Sequence, residues 1–423
     1  MSLRHAVVRA CLTAGLTAGF SSQSFAAGFA LAEQGVKGIG NAFAGAAASA
    51  EDATTVYFNP AGMMRLEGNQ VSLAGHVIQP SAKFSNGNSN RAGTPLSGGD
   101  GSDGGVNALV PNFYYVGNAG GGWRYGLGVN VLFGLATEYD STWQGRYHAI
   151  KSEIKSVNIN PAVAWRVSPQ LSIGGGINIM LAEALLSNAV DYGALLGASQ
   201  TSDRLGTVKG DDQGYGFNVG FLYEMSSSTR VGVTFRSKIT QKLDGTVTYD
   251  SPVSVFQNAT AHAKVTLPES MSFSLHHELT GGWTLLADAT HTRWSRFKEL
   301  RVDYDSSQPD TVIDESWKNV WRVAVGATYK APGPWTWRMG VAYDEEPIPD
   351  AVRRTPRVPG NDRKWLAAGF TYQPDKKFGV DVGFAHLFVS DTPINNTTSL
   401  SHVLNGTYKN NVNILSAQLN WTF

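Results

Sequence analysis

A strict alternation between large apolar residues and small or polar residues recurs along most of this chain. Every second residue from Trp123 to Phe133 is large and apolar, and the runs 171–179, 215–223 and 321–329 follow the same period of two. In an extended strand this period places the apolar side chains on one face and the other side chains on the opposite face. The pattern therefore predicts an all-β fold.

The number and spacing of these runs indicate a closed barrel. About fourteen candidate strands begin near residues 70, 108, 122, 152, 170, 213, 229, 261, 282, 311, 334, 363, 377 and 409. Long and short connections alternate between them, as do the outside loops and periplasmic turns of outer-membrane barrels, whose strand number is even. In hydrocarbon an unpaired backbone group costs several kcal/mol, so a sheet there has no free edge. We expect a 14-stranded antiparallel transmembrane β-barrel.

The chain's ends agree with an exported membrane protein. Arg4 and Arg9, an apolar run and a small-residue site before Ala27 predict a signal peptide over residues 1–26. The alternate apolar residues that end at Phe423 are typical of the last strand of outer-membrane barrels, which the barrel-insertion machinery reads. A soluble β-sandwich or propeller also alternates, but it explains neither the loop asymmetry nor this last strand.

The segment before the first strand predicts a plug. Residues 27–69 are rich in Gly and Ala, and fourteen strands enclose a lumen wider than their own side chains fill. We therefore expect residues 27–69 to form an N-terminal hatch inside a barrel of residues 70–423. A net charge of +0 without a basic cluster gives nucleic-acid binding little support.

Short motifs along the whole mature chain resemble the FadL family of outer-membrane long-chain fatty acid transporters. They are 27–33 (AGFALAE), 59–61 (NPA), 133–139 (FGLATEY), 267–269 (LPE), 294–297 (WSRF), 337–344 (WRMGVAYD), 347–349 (PIP) and 362–365 (DRKW). The resemblance implies a hatch of small helices and a hydrophobic ligand pocket beside the N-terminus, here Ala27, Gly28 and Phe29. It also implies that ligand leaves sideways through a gap in the wall at a kink in the third strand.

The residues at the expected kink have two interpretations. Val131, Leu132, Phe133 and Gly134 interrupt the alternation, and a glycine inside a strand permits a bulge or a bend. The strand could simply end here. The resemblance favours a lateral opening, with Ala108 on the second strand as a candidate for the opposite rim.

The NPA motif also has two compatible interpretations. Asn-Pro commonly starts a turn, and a turn is needed between the plug and the first strand. The functional interpretation is that Asn59, Pro60 and Ala61 anchor the hatch to the barrel interior near the lateral gap.

The ligand's polar end is the open question of the sequence. Fatty-acid transporters of the family carry basic residues at positions near Asn188 and Ile313, neither of which is basic here. A carboxylate buried without a positive partner is costly. The candidates for a substitute contact are Arg146, Lys318, Arg353, Arg354 and Arg357. The last three belong to a charged segment, and its alternative interpretation is a solvated loop whose mixed charges satisfy one another. If none of them serves, the ligand is neutral. The apolar residues 185–197 are expected to form a short helix that catches the ligand.

We conclude from the sequence that the chain is a passive outer-membrane transporter of long-chain fatty acids or similar hydrophobic molecules. Export of oxidised fatty acids and import of aromatic or aliphatic hydrocarbons remain alternatives. No Ser/His/acid constellation or metal-ligand spacing occurs, so no catalytic residue, metal or cofactor is expected. Besides its ligand, the expected partners are the lipid bilayer, lipopolysaccharide and the barrel-insertion machinery, and the chain is expected to work as a monomer.

Overall fold

Fourteen antiparallel strands of the described residues close into one barrel. The computed structural model describes residues 28–253 and 255–423, so the predicted signal peptide and Ala27 lie outside the described residues. The strands are β1 (Gln70–Asn86), β2 (Ala108–Gly120), β3 (Trp123–Asn130 and Leu135–Glu138), β4 (Lys151–Arg166), β5 (Leu171–Asp191), β6 (Asp203–Glu224), β7 (Thr229–Arg236 and Ile239–Tyr249), β8 (Ala259–Leu267 and Ser270–Glu278), β9 (Trp283–Thr292 and Glu299–Tyr304), β10 (Thr311–Asp314 and Val320–Lys330), β11 (Trp335–Asp344), β12 (Arg363–Tyr372), β13 (Phe378–Val389) and β14 (His402–Thr422).

Each strand pairs with its neighbour along the chain, and β14 pairs with β1 from Gln70↔Thr422 to Asn86↔Gly406. This last ladder closes the sheet and satisfies the backbone groups at both of its edges. The predicted fold class is confirmed.

The strand faces explain the alternation in the sequence. Apolar residues such as Tyr215, Phe217 and Phe221 are exposed on the outside of the barrel, where they suit contact with lipid. Inward-facing polar residues such as Asn158 and Asn218 are buried between the wall and the hatch. The alternation therefore reports two different environments on the two sides of one sheet.

Two connections at the loop end differ from the predicted ones. β5 continues to Asp191 and β6 begins at Asp203, about ten residues before the predicted start, because the two strands stay paired up to Asp191↔Asp203. The helix expected over residues 185–197 is therefore wrong for residues 185–191, and only Tyr192–Leu195 forms a helical turn. β14 likewise begins early, at His402, because residues 392–397 pair with it.

The hatch consists of three short helices and a 3-10 helix. They are α1 (Val36–Gly40), α2 (Ala46–Ser49), α3 (Thr55–Phe58) and the 3-10 helix Pro60–Arg65. Helices this short are not stable alone, so packing in the lumen must hold them. Ile39, Val56 and Met63 are fully buried there. No helix among the described residues is long and apolar enough to cross a membrane.

Charged contacts also join the hatch to the wall. Arg338 on β11 pairs with Glu51 at 2.6 Å, and Gln418 on β14 donates to Asp52 at 2.9 Å. Lys37 of α1 pairs with Asp52 at 3.3 Å within the hatch. Breaking one partner of such a buried pair leaves an uncompensated charge, so these contacts specify how the hatch sits in the barrel.

Four further short elements lie in the loops and turns. They are the strands Asn90–Arg91, Thr94–Pro95 and Thr392–Thr397 and the 3-10 helix Thr280–Gly282, and a further 3-10 helix, Trp294–Arg296, lies in the break within β9.

Candidate functional site

Phe29 lies at the centre of an aromatic cluster inside the barrel. Its ring centroid is 4.9 Å from that of Trp294, 5.7 Å from Trp317, 5.9 Å from Phe297 and 6.0 Å from Phe133. These distances are typical of favourable aromatic pairs. The four partners lie in the breaks within β3, β9 and β10, and their side chains point into the barrel. We call these five residues the aromatic cluster.

Gly28 is placed against this cluster in a way that only glycine permits. Its φ of +66° is in the left-handed region, and a Cβ atom there would lie 2.5 Å from the Trp317 ring and 2.7 Å from the Trp294 ring. The start of the described chain is therefore packed directly onto the two tryptophans.

Two cavities lie on either side of the aromatic cluster. The loop-side cavity has a volume of about 800 Å³ and touches the cluster at Phe29 and Phe297. The hatch-side cavity, of about 1230 Å³, touches it at Phe133 and Trp294. The cluster therefore separates the two spaces.

The walls of the two cavities differ. Leu135, Ile154, Leu186, Leu300 and Val302 are among the apolar residues that line the loop-side cavity. The hatch-side cavity is lined by the hatch, by Leu132 and Phe133, and by a polar stripe on the wall that includes Arg236, Asp288 and Arg322.

Two buried ionisable side chains face the loop-side cavity. Arg357 donates to Ser152 Oγ at 3.0 Å and reaches Asn188 Oδ1 at 3.5 Å, and burial lowers the pKa of Arg357 to about 10. Burial raises the pKa of Glu315 to about 8, against the opposing effects of Trp317 Nε1, which donates to Glu315 at 2.7 Å, and of Arg357. At neutral pH the cavity therefore holds a cation and a predominantly neutral acid.

Of the five basic candidates named from the sequence, only Arg357 lines either of these two cavities. Arg146 is held by Asp203 at 2.7 Å, and Arg353 by Asp314 at 3.0 Å and Asp350 at 2.7 Å. Arg354 is buried but donates to the carbonyls of Gly360 and Pro393. Lys318 is exposed. Arg357 brings a guanidinium beside Asn188, one of the two positions at which the resemblance to the family implies a basic residue.

The third strand is broken where the alternation is interrupted. Pairing of β2 with the first segment of β3 ends at Phe113↔Val129, and the second segment forms its ladder with β4, from Leu135↔Ile154. Between them the backbone bonds to the hatch instead of to β2. The amide of Leu31 donates to Leu132 O at 2.9 Å, and the amide of Gly134 donates to Phe29 O at 3.0 Å.

The opposite side of this break is the start of β2. Residues 108–112 pair with β1, from Ile78↔Ala108 to Ala74↔Asn112, and with no part of β3 among the described residues. The isolated bridge Gly105↔Thr137 lies beyond them. The ladder between β2 and β3 thus has an interruption with Ala108 on one side and residues 131–134 on the other.

The NPA turn lies against β5 and β6. Asn59 Nδ2 donates to Phe221 O of β6 at 2.9 Å and to Ala47 O of the hatch at 2.7 Å, while Oδ1 accepts from the Ala61 amide at 3.1 Å. A Cβ atom at Gly220 would collide with the Asn59 side chain, so this glycine permits the close approach. Asn59 therefore joins the hatch to the wall directly.

Several residues of this site are not singled out by the sequence, among them Gln34, Glu315 and Trp317. Gln34, Glu315 and Trp317 are each buried at the kink or the cavity. The sequence offers only weak signals for them. Gln34 is a polar residue within the Gly/Ala-rich segment, and Glu315 stands two positions before Trp317 where β10 is interrupted.

The chain matches a family model described as outer membrane protein transport protein (OMPP1/FadL/TodX) over residues 17–423. It is 29% identical over 399 residues to the long-chain fatty acid transport protein of Escherichia coli O6:H1, a match that covers 87% of this chain and 88% of that protein. Among solved structures, a Pseudomonas aeruginosa FadL homologue aligns with a TM-score of 0.88 and 24% identity, over 94% of this chain and 100% of that chain.

The Ralstonia pickettii toluene transporter TbuX aligns with a TM-score of 0.66 and 17% identity, over 92% of this chain and 98% of that chain. At these identities the two solved structures support the fold. The functions named in these comparisons are transport functions.

Proposed function

Since the chain belongs to the outer membrane protein transport protein (OMPP1/FadL/TodX) family and lies in the bacterial outer membrane, we propose that it transports long-chain fatty acids and similar hydrophobic molecules by passive diffusion. The observation that carries this proposal is the loop-side cavity, an apolar space of about 800 Å³ whose buried cation is Arg357. An alkyl chain fits the apolar wall, and the guanidinium suits a carboxylate.

The driving force is burial of the alkyl chain. Each buried CH₂ group stabilises the bound state by about 0.8 kcal/mol, and a hydrogen bond to a charged group adds about 1.5–3 kcal/mol. Diffusion down a gradient needs no covalent step, so we assign no catalytic residue and no cofactor. The barrel closes within one chain, which supports a monomer in the bilayer with lipopolysaccharide around its loops.

We propose that the first residues of the mature chain control the route onward. Phe29 contributes its ring to the aromatic cluster and its carbonyl to the amide of Gly134 at the break in β3. Movement of Gly28 and Phe29 would therefore connect the two cavities and loosen the kink together. The ligand would then leave sideways between Ala108 and the segment Val131, Leu132, Phe133 and Gly134.

A neutral hydrocarbon is the second candidate ligand. Apart from Lys209, His262, Glu315, Thr355 and Arg357, the residues that line the loop-side cavity are apolar or glycine. Export of oxidised fatty acids uses the same passive route in reverse, since diffusion has no built-in direction.

The proposal is tested by uptake in a strain that lacks the gene, with and without the gene restored. The panel is oleate, hydroxylated oleate, toluene and hexadecane. We expect oleate uptake to depend most strongly on the gene. A preference for toluene or hexadecane would contradict the fatty-acid assignment, and accumulation of hydroxylated oleate in the strain without the gene would favour export.

A further inference from the structure

Two ionisable side chains of opposite type reach the same apolar cavity from different loops. Arg357 comes from the connection between β11 and β12, and Glu315 from the break within β10. The hydrogen bonds of Arg357 go to Ser152, Asn188 and two backbone carbonyls, and none goes to a carboxylate among the described residues. Its Nε atom is buried without a hydrogen-bond partner. The positive charge of Arg357 therefore has no anionic hydrogen-bond partner among the described residues.

Glu315 links this cation to the aromatic cluster. One oxygen, Oε2, accepts from Trp317 Nε1, and the Trp317 ring packs on Phe29. Burial raises the pKa of Glu315 to about 8, so its carboxyl is mostly protonated at neutral pH. If Glu315 were ionised, Arg357 would be its principal countercharge. In its protonated form Glu315 carries no charge for Arg357 to compensate.

The other charged or titratable groups at this cavity have partners of their own. In the lining, Lys209 pairs with Glu183 at 2.8 Å, and His262 contacts Asp244 at 2.7 Å and Asp305 at 3.3 Å. Outside the lining, Asp314 pairs with Arg353 at 3.0 Å, Tyr139 donates to the carbonyl of Pro356 at 2.8 Å, and the hydroxyls of Tyr304 and Thr311 are 2.8 Å apart. Arg357 and Glu315 both line this cavity, and neither has an ion-pair partner among the described residues.

Building on the function proposed above, we propose that Glu315 and the ligand's carboxylate are alternative anionic partners of Arg357, so that the cavity takes a carboxylate only while Glu315 carries a proton. Two ionised carboxylates beside one guanidinium would leave a buried negative charge without compensation, which is costly. When Glu315 is ionised, it takes a proton from solvent as the ligand binds. A neutral ligand requires no such proton.

The proposal fixes the sign of the pH dependence. Below the pKa of Glu315, at about 8, the acid is already protonated, so Glu315 contributes no pH dependence to carboxylate affinity. Above it, up to one proton is taken up per ligand, so affinity falls by as much as tenfold per pH unit. Arg357 remains largely charged over this range, because its pKa is about 10.

The experiment measures binding of laurate and 1-dodecanol to the purified, detergent-solubilised protein between about pH 6.5 and pH 9.5. Any titration of laurate itself in the detergent is common to all variants, so comparison with Glu315→Gln removes it. The variants are Glu315→Gln, which is neutral at every pH, and Asp314→Asn, which removes a neighbouring carboxylate that pairs with Arg353 outside the cavity. Calorimetry in buffers of different ionisation enthalpy counts the protons taken up by the wild-type protein, independently of any variant.

We expect laurate affinity to fall above about pH 8 in the wild type and in Asp314→Asn, with uptake approaching one proton per laurate, and to stay constant in Glu315→Gln. Affinity for 1-dodecanol should stay within about twofold throughout. An equal slope in Glu315→Gln and the wild type, or binding without proton uptake above pH 8, would overturn the role of Glu315 while leaving transport intact. Failure of the wild type to bind laurate at any pH would instead overturn the fatty-acid function and this inference with it.

Discussion

Gln34 donates a hydrogen bond of 2.6 Å to the backbone carbonyl of Val131. That carbonyl lies where β3 has left its ladder with β2, so a hatch side chain replaces a lost sheet partner. The Gln34 oxygen also accepts from Asn130 at 2.7 Å. The hatch therefore stabilises the kink in the wall as well as filling the lumen.

Replacing Gln34 by Leu should destabilise the kink. The Val131 carbonyl and the Asn130 amide would lose this partner while buried, which costs about 1–3 kcal/mol per group. We expect a lower unfolding temperature in a protein that still inserts into the membrane, measured by the temperature at which its gel mobility changes. Gln70→Leu is the control, because Gln70 donates to Glu67 at 3.3 Å at an exposed site. Equal stability of the two variants would contradict a supporting role for Gln34.

Replacing Asn59 and Pro60 together by Ala should reduce transport without preventing assembly. Asn59 bonds the hatch to β6 through Phe221, whereas the barrel ladders do not depend on this side chain. We expect normal insertion, heat-stable folding and lower ligand flux. Asn88→Ala, in an exposed loop, serves as the control. Normal flux in the double variant would rule out the anchoring role.

Replacing Arg357 by Leu should weaken uptake of oleate by about tenfold or more, because a charge-assisted contact contributes about 1.5–3 kcal/mol. Uptake of hexadecane should be unaffected. Arg357→Lys should retain part of the oleate uptake, since lysine keeps the positive charge but lacks the planar guanidinium that binds both carboxylate oxygens. Arg353→Leu is the matched control, as Arg353 is paired with acids outside the cavity. An equal loss for oleate and hexadecane would point to misfolding of the loop instead.

Replacing Gly28 by Ala should displace the aromatic cluster. The added Cβ would overlap Trp294 and Trp317, so the rings or the chain must move, and we expect changed tryptophan fluorescence and changed ligand flux. Gly93→Ala is a matched control, because Gly93 also has a positive φ, of +86°, but has no atom within 4 Å of the new Cβ. Identical spectra and flux for Gly28→Ala and the wild type would show that the cluster does not depend on this close packing.

The sequence predicts strands well wherever lipid and lumen lie on opposite faces of the sheet. Tyr215, Phe217 and Phe221 reveal β6 in this way, because each side chain meets the environment that its position demands. Prediction fails for residues 185–191 and for the start of β6 at Asp203. There the apolar and polar residues no longer follow that alternation, and only the ladder to the neighbouring strand shows that the segment is extended.

The same limit applies to the candidate site. Interrupted alternation marks residues 131–134, yet nothing local indicates that Gln34 and Ser156 bond their carbonyls, Ser156 at 2.6 Å to Phe133. Five arginine and lysine residues are equivalent candidates in the sequence. Only their surroundings in the folded protein distinguish them, since four are paired or exposed and Arg357 lines the loop-side cavity.

By itself the sequence determines an exported, fourteen-stranded barrel with a plug, because periodicity and connection length are local properties that the membrane imposes on every strand. Only the tertiary structure decides that Arg357 stands beside Asn188, 169 residues earlier in the chain. Closure of the barrel brings the connection between β11 and β12 over the ends of β4 and β5. A loop that is distant in the sequence therefore supplies the positive charge beside the neutral Asn188.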